Sequence, residues 1–265
     1  MTPDDKKAQI KLLGEKLFAL SSSQIGWVES IISQFSVTHF YNVVDSDIFD
    51  ECMLESFGDA LLIHHCMSKE PFSKDKFEYV LERVANFCGK RAEISPKGNL
   101  GHDITINEIN FSLKTQADRQ IKLDEIHISK FMELGHGVWG DNPSQLENLR
   151  EQFFRHMKSY DRILSLRTLS KTPHNWKYEL VEIPKTLLFE ASDGELEMKI
   201  DSPQFPKPGY CYVRDENGVD KFHLYFDGGG ERKLQVKHIQ KKYCRVHATW
   251  EFPSNDLLYA PSKQR

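Results

Sequence analysis

Asp103 and Lys114 stand eleven positions apart in the stretch Gly101-His102-Asp103-Ile104-Thr105-Ile106-Asn107-Glu108-Ile109-Asn110-Phe111-Ser112-Leu113-Lys114-Thr115. Between them, Ile104 and Ile106 alternate with polar neighbours, Asn107-Glu108 can turn, and Ile109, Phe111 and Leu113 alternate again. That pattern predicts two short strands joined by a tight turn. Strand residues rise about 3.3 Å each, so the turn carries both charged side chains back to one end of a hairpin. A carboxylate and an ammonium held there are a minimum kit for metal-assisted phosphodiester cleavage. The carboxylate holds a hard divalent cation through oxygen. The lysine orients and deprotonates the attacking water, or offsets charge on the phosphate. The same two residues also suit the solvated edge of any half-buried hairpin.

Other residue groups carry weaker chemistry. Glu55 and Asp59 are four apart and share one face of a helical segment, where two carboxylates could complete a metal site or simply meet solvent. His64-His65-Cys66 offers no zinc site, because adjacent histidines point apart and no matching ligand pair follows. Asp227-Gly228-Gly229-Gly230-Glu231-Arg232-Lys233 lacks the GK[ST] end of a phosphate-binding loop, and instead reads as a turn presenting Arg232 and Lys233 to a DNA groove. From Arg232 to Arg245 there are six Lys or Arg residues and no acid, so local positive charge exists despite a net charge of −4.

The elements that would position these groups follow from periodicity. Ile10, Leu13, Leu17 and Leu20, then Ile25, Trp27, Val28, Ile31, Ile32 and Phe35, predict two amphipathic helices over residues 8–35, with Ser21-Ser22-Ser23 as boundary and cap and a packing or dimerising role. Asp45-Ser46-Asp47 offers a start for a helix carrying Phe49, Cys52, Met53, Phe57, Leu61 and Leu62. Pro71 to Cys88 predicts another, with Phe77, Val80, Leu81, Val84 and Phe87 inward, followed by a loop over 95–99. Ile126 and Ile128 suggest a short strand, after which Ser129 starts a brief helix that Gly135 ends. Ser144 to Met157 predicts a helix opened by a capping box at Ser144 and Glu147. Residues 162–167 and 177–184 read as central strands, the second ended by Pro184. Strands near 196–200, 210–213, 222–226 and 234–236 make the last third β-rich.

With 265 residues the chain can bury a sizeable core. We expect one domain over 1–265: mainly helical over 1–90, a catalytic sheet over 95–190, and a β-rich portion over 191–265 as the candidate DNA-recognition part. No apolar run approaches the roughly eighteen residues that span a membrane. The acidic N-terminus shows no secretory signal. Five widely spaced cysteines without a CxxC motif read as reduced packing thiols, and the expected compartment is cytoplasmic.

Asp–spacer–acid–x–Lys is the signature of the PD-(D/E)XK nuclease superfamily, and the hairpin resembles it with Ser112 where the acid is usual. A closer resemblance runs over roughly residues 45 to 250, to type II restriction endonucleases that read CCCGGG. It is carried by Phe57-Gly58-Asp59, Gly101-His102-Asp103-Ile104, Leu113-Lys114-Thr115, Met132-Glu133-Leu134-Gly135, Leu180-Val181-Glu182-Ile183-Pro184-Lys185, Pro206-Lys207-Pro208-Gly209-Tyr210 and Leu224-Tyr225-Phe226-Asp227-Gly228-Gly229. The resemblance implies an α/β restriction-endonuclease-like fold, with a mixed central sheet flanked by helices, and a Mg²⁺-dependent homodimer that cuts double-stranded DNA centrally to leave blunt ends. Asp103 and Lys114 carry over as the nuclease pair, and Ser112 becomes a trait of the group. Some superfamily members with Ser there take the missing carboxylate from a following helix, which makes Glu133 the first candidate, with Glu55 and Asp59 open beside it. Gln116 stands where the group carries Glu and is assigned no metal. A G·C site calls for Arg or Lys against guanine O6 and N7, so Arg232, Lys233, Lys237, His238 and Lys130 are the candidate DNA contacts. The rival readings are a non-cleaving DNA-binding protein on the same fold and a monomeric nicking nuclease of repair type.

Overall fold

Thr2 and Ser21 each open a helix with a reciprocal capping box: α1 is Pro3–Leu17, which starts five residues before the expected 8, and α2 is Ser22–Phe35. The computed structural model describes residues 2–96, 101–135, 139–172 and 175–253. The third helix, α3, starts later than its sequence suggests, at Glu51–Met67, with Asp50 as its cap. Asp45, Ser46 and Asp47 are committed elsewhere: Ser46 Oγ accepts from the backbone of Ile48 and Phe49, and both aspartates pair with Arg245. Helix α4, Lys74–Phe87, buries Phe77, Leu81 and Val84, but Phe87 is exposed rather than inward because the helix ends there beyond the core.

Two sheets follow. The larger runs β1 (Phe40–Val43), β12 (Arg245–Phe252), β7 (Asn175–Glu182), β6 (Arg162–Thr172), β4 (Ile109–Gln116), β3 (Ile104–Ile106) and β2 (Ala92–Ile94). It is mixed, since β4 and β6 are parallel while the other pairs are antiparallel. The second sheet is antiparallel and ordered β5 (Glu125–Glu133), β11 (Lys233–Gln240), β10 (Asp220–Phe226), β9 (Gly209–Arg214) and β8 (Glu195–Met198). Between β4 and β6 the chain therefore leaves the large sheet, lays down β5 in the second, and returns through α5 (Gln145–Met157). A short α6 (Lys185–Phe189) follows β7. The brief helix expected from Ser129 does not form. Lys233 and Leu234 of β11 pair with Glu133 and Met132 instead, so partner strand hydrogen bonds override the local signal. The capping box at Ser144 is also absent, because Ser144 Oγ donates to Asn142 Oδ1 at 2.9 Å.

Alternation along the strands sorts the side chains. Ile104, Ile106, Phe111, Leu113, Leu164 and Leu166 enter a core shared with α3 and α4. Ile163, Val181 and Ile183 enter a second core with α5 and the smaller sheet. By the two-residue period, Ser112, Lys114 and Gln116 face away from the α3–α4 core. His65 sits between the layers as a satisfied core residue, its Nε2 2.7 Å from the Tyr178 hydroxyl and its ring stacked on Trp176. Cys52 and Cys88 depart from the expectation of free thiols: folding brings their Cα atoms to 5.8 Å and they form a disulfide between α3 and the end of α4. Cys66, Cys211 and Cys244 are free.

One end of the large sheet is tied by charge. Arg162 pairs with Glu182 and Asp47, and the buried His247 bridges Ser46 and Glu182. Burial opposes the ionised form of Glu182, but hydrogen bonds from His247 and Arg162 pull its carboxyl down to about 2. A depressed folded pKa stabilises fully above the ordinary carboxylate value and is lost as pH falls through the folded one. Glu182→Gln should therefore cost on the order of 3 kcal/mol at pH 7. The gap from wild type should close between about pH 5 and pH 2. Urea unfolding at both ends of that range measures it, and a gap independent of pH would refute the assignment.

Candidate active site

The hairpin turn is built at Asn107 and Glu108, both with positive φ (47° and 70°), the conformation a two-residue turn between twisted strands requires. It sets Asp103 beside β4. The Asp103 backbone N–H donates to the Phe111 carbonyl at 2.8 Å. Its carboxylate accepts from the Leu113 N–H at 2.6 Å and from Ser112 Oγ at 3.3 Å. Ser112 thus orients Asp103 rather than supplying an acid. Burial works against a charged Asp103, yet the Lys114 and Lys74 charges and the Leu113 bond hold its carboxyl below the usual range.

Lys114 is buried, with its Nζ 5.4 Å from the centre of the Phe131 ring. Burial pushes its ammonium down to about 8, against the pull of Asp103. His156 of α5 adds to this wall: its ring lies 6.0 Å from Phe131 and 5.5 Å from Tyr160. Burial, and then the Lys114 charge, push it down to about 4, so it faces the site as a neutral imidazole.

A second carboxylate, that of Glu78, arrives from α4. Lys74 Nζ lies 2.7 Å from Asp103 Oδ1 and 3.2 Å from Glu78 Oε1, so one ammonium touches both carboxylates. Burial lifts the Glu78 carboxyl above its usual range although Lys74 pulls the other way. Sequence reading passed over Glu78 because it borders the apolar stripe of an amphipathic helix. Its one local signal is the Lys74–Glu78 spacing of one helical turn.

The carboxylates singled out from sequence line other pockets, Glu133 one that it shares with Gly101 and His156. Glu133 ends β5 with its side chain 70% exposed and paired to Lys130 at 2.7 Å. Glu55 and Asp59 line a separate pocket with His39, Tyr41 and Glu51. No hydrogen bond or ion pair links any of the three to Asp103 or Lys114 among the described residues. Gln116 is buried, accepting from Arg167 Nε at 2.9 Å and donating to Asp118 at 3.1 Å, so it braces the sheet.

The candidate DNA contacts divide among three places. Lys130 lines a groove of about 350 Å³ that also holds Lys74, Lys114 and Ser129. On β11, Lys233 pairs with Glu231, and Lys237 lies 3.7 Å over the Tyr225 ring. His238, with φ 56°, turns at a register shift and meets Glu125 at 2.8 Å. Arg232 lines a pocket formed by Gln204, Phe205 and the three glycines 228–230.

A mixed sheet here carries a hairpin whose aspartate pairs with Lys74 and whose buried lysine lines one groove with Lys74 and Lys130. The chain belongs to the SmaI family of type II site-specific deoxyribonucleases, whose family model matches residues 13–252. The type II restriction enzyme SmaI of Serratia marcescens is 44% identical to it over 219 residues, which is 82% of this chain and 87% of that enzyme. No solved structure matches the chain. It is thus a type II restriction endonuclease by family, and none of its described helices is long and apolar enough to cross a membrane.

Proposed function

We propose that this endonuclease is a Mg²⁺-dependent homodimer that hydrolyses double-stranded DNA at CCCGGG, cutting centrally to leave blunt ends, and that Asp103, Glu78 and Lys114 carry the reaction. The observation behind the site is the single ammonium that reaches both Asp103 and Glu78 while Lys114 lies buried next to them. Asp103 and Glu78 offer hard oxygen donors that would suit Mg²⁺, an ion usually held by one or two carboxylates together with waters and substrate phosphates. When bound, the ion lowers the pKa of a water and offsets charge on the scissile phosphate. Asp103 and Glu78 hold the acidic side of the site, Asp103 being fixed by Leu113 and Ser112. Lys114, whose ammonium burial weakens to about 8, gives up its proton more readily than an ordinary lysine, and its amine form takes the proton from the attacking water. Phe131 and His156 wall the site on one side, and Lys130 anchors the backbone. Lys233, Lys237, Arg232 and His238, in the 191–265 portion of a single 1–265 unit, are the candidates for guanine contacts.

Mapping the ends made on plasmid DNA of known sequence, with and without Mg²⁺, tests this reading. Blunt ends at the centre of CCCGGG support it, and a different site refutes the target. Shifted but intact DNA would mean a non-cleaving binder.

A palindrome calls for a two-fold protein. Helix α1 has no buried residue, and Ile10, Leu13, Phe18, Trp27 and Ile32 are exposed along α1 and α2. Such a patch marks an interaction surface, here the partner subunit. Leu13→Glu combined with Phe18→Glu should yield a folded monomer by sedimentation and cost about tenfold or more in double-strand cleavage. A dimer that persists in this variant places the interface elsewhere.

A further inference from the structure

Lys74 is the first residue of α4, next to the Ser73 cap. A cation there runs against the helix dipole, which favours acids in the first turn. Its side chain is nevertheless drawn to Asp103 Oδ1 at 2.7 Å and Glu78 Oε1 at 3.2 Å. Those are the two carboxylates read above as the metal-holding pair, on which this inference rests. The side chain remains 41% exposed and lines the same groove as Lys114 and Lys130. Its ammonium is therefore free to leave the acids for a phosphate without crossing the core.

We infer that Lys74 is an internal counter-cation that competes with the divalent ion for Asp103 and Glu78, and that a DNA phosphate in the Lys114–Lys130 groove draws it away. Two carboxylates this close repel each other unless a positive charge lies between them. Lys74 supplies that charge and keeps the pair together. The divalent ion, carrying twice the charge, takes over the same oxygens only as the ammonium departs. A phosphate that attracts Lys74 thereby raises metal affinity. Linkage requires the converse as well, so that metal raises affinity for DNA. Lys74 is on this account a positioning residue, and ionic coupling between metal and DNA is the property it sets.

The test titrates Mn²⁺ into the full-length protein and reads free Mn²⁺ by electron paramagnetic resonance, without turnover. Lys74→Met, which keeps the stem and removes the charge, should bind Mn²⁺ about tenfold more tightly than wild type. Lys74→Arg should stay near wild type. Adding a DNA duplex should tighten Mn²⁺ binding in wild type and have a smaller effect in Lys74→Met. Equal or weaker binding by Lys74→Met, or undetectable binding by every form, overturns the inference. Asp103→Ala and Glu78→Ala in the Lys74→Met background distinguish the two levels of the argument. If neither lowers Mn²⁺ affinity, the carboxylates are not the ligands. If both do while Lys74→Met matches wild type, only the role of Lys74 fails.

Discussion

Lys114→Ala should lower the DNA cleavage rate about 10³-fold or more while leaving the duplex bound and the protein folded. Lys114→Arg should not restore activity, because a guanidinium stays charged and cannot accept a proton from water. The wild-type rate should rise with pH, reach half its maximum near 8 and level off about one unit above, as the ammonium that burial has weakened gives way to the amine. Asp103→Ala should cause a comparable loss, since Asp103 is the point on which Leu113, Ser112, Lys74 and Lys114 converge. Single-turnover rates on a plasmid, gel-shift affinity and circular dichroism together check this. Retained turnover in either alanine variant, or a rate indifferent to pH between 6 and 9, would remove these residues from the chemistry.

Arg167→Met should destabilise the protein by about 3 kcal/mol or more. Arg167 is fully buried on β6, pairs with the buried Glu179 of β7, donates to Gln116 of β4, and donates to the carbonyls of Lys122 and Glu125 at 2.6 and 2.7 Å. Removing it leaves a buried carboxylate with Lys241 as its remaining ionic partner, and leaves two carbonyls without their donor. Breaking one side of a buried pair costs far more than replacing both sides. Arg167→Met with Glu179→Leu should therefore recover part of the loss. Chemical denaturation of the three variants measures both numbers, and a single variant as stable as wild type would contradict the role. The damage should also reach activity, because the carbonyls of Lys122 and Glu125 lie where the chain passes from β4 into β5.

What could be read from sequence was what short-range periodicity encodes. The Ile104–Leu113 alternation and the Asn107-Glu108 turn are local, so the hairpin and its charged ends were legible. The cap at Ser21-Ser22-Ser23 was equally local, whereas the Thr2 box that starts α1 at Pro3 went unread because no apolar stripe begins there. Glu78 was not legible, because its meaning depends on α4 docking against a hairpin that begins well after it in the chain. The first half of β5 was legible at Ile126 and Ile128, but a serine and a glycine suggested a helix for the rest, and only pairing with β11 carries the strand through to Glu133. β12 went unread because Arg245-Val246-His247-Ala248-Thr249-Trp250 lacks clean alternation. His247 belongs inside only because Ser46 and Glu182 are there to bond it. The ordered matches along the chain identified the type of enzyme, yet they could not say which acid joins Asp103.

The order of the large sheet also has a bearing on biosynthesis. β12, the last strand described, lies between β1 and β7. A ribosome must therefore deliver residue 252 before the first strand gains its neighbour, and until then β7 carries a bare hydrogen-bonding edge. Nascent chains are consequently unable to close the large sheet. Products truncated before Arg245 should stick to one another through that open rim rather than persist as active fragments.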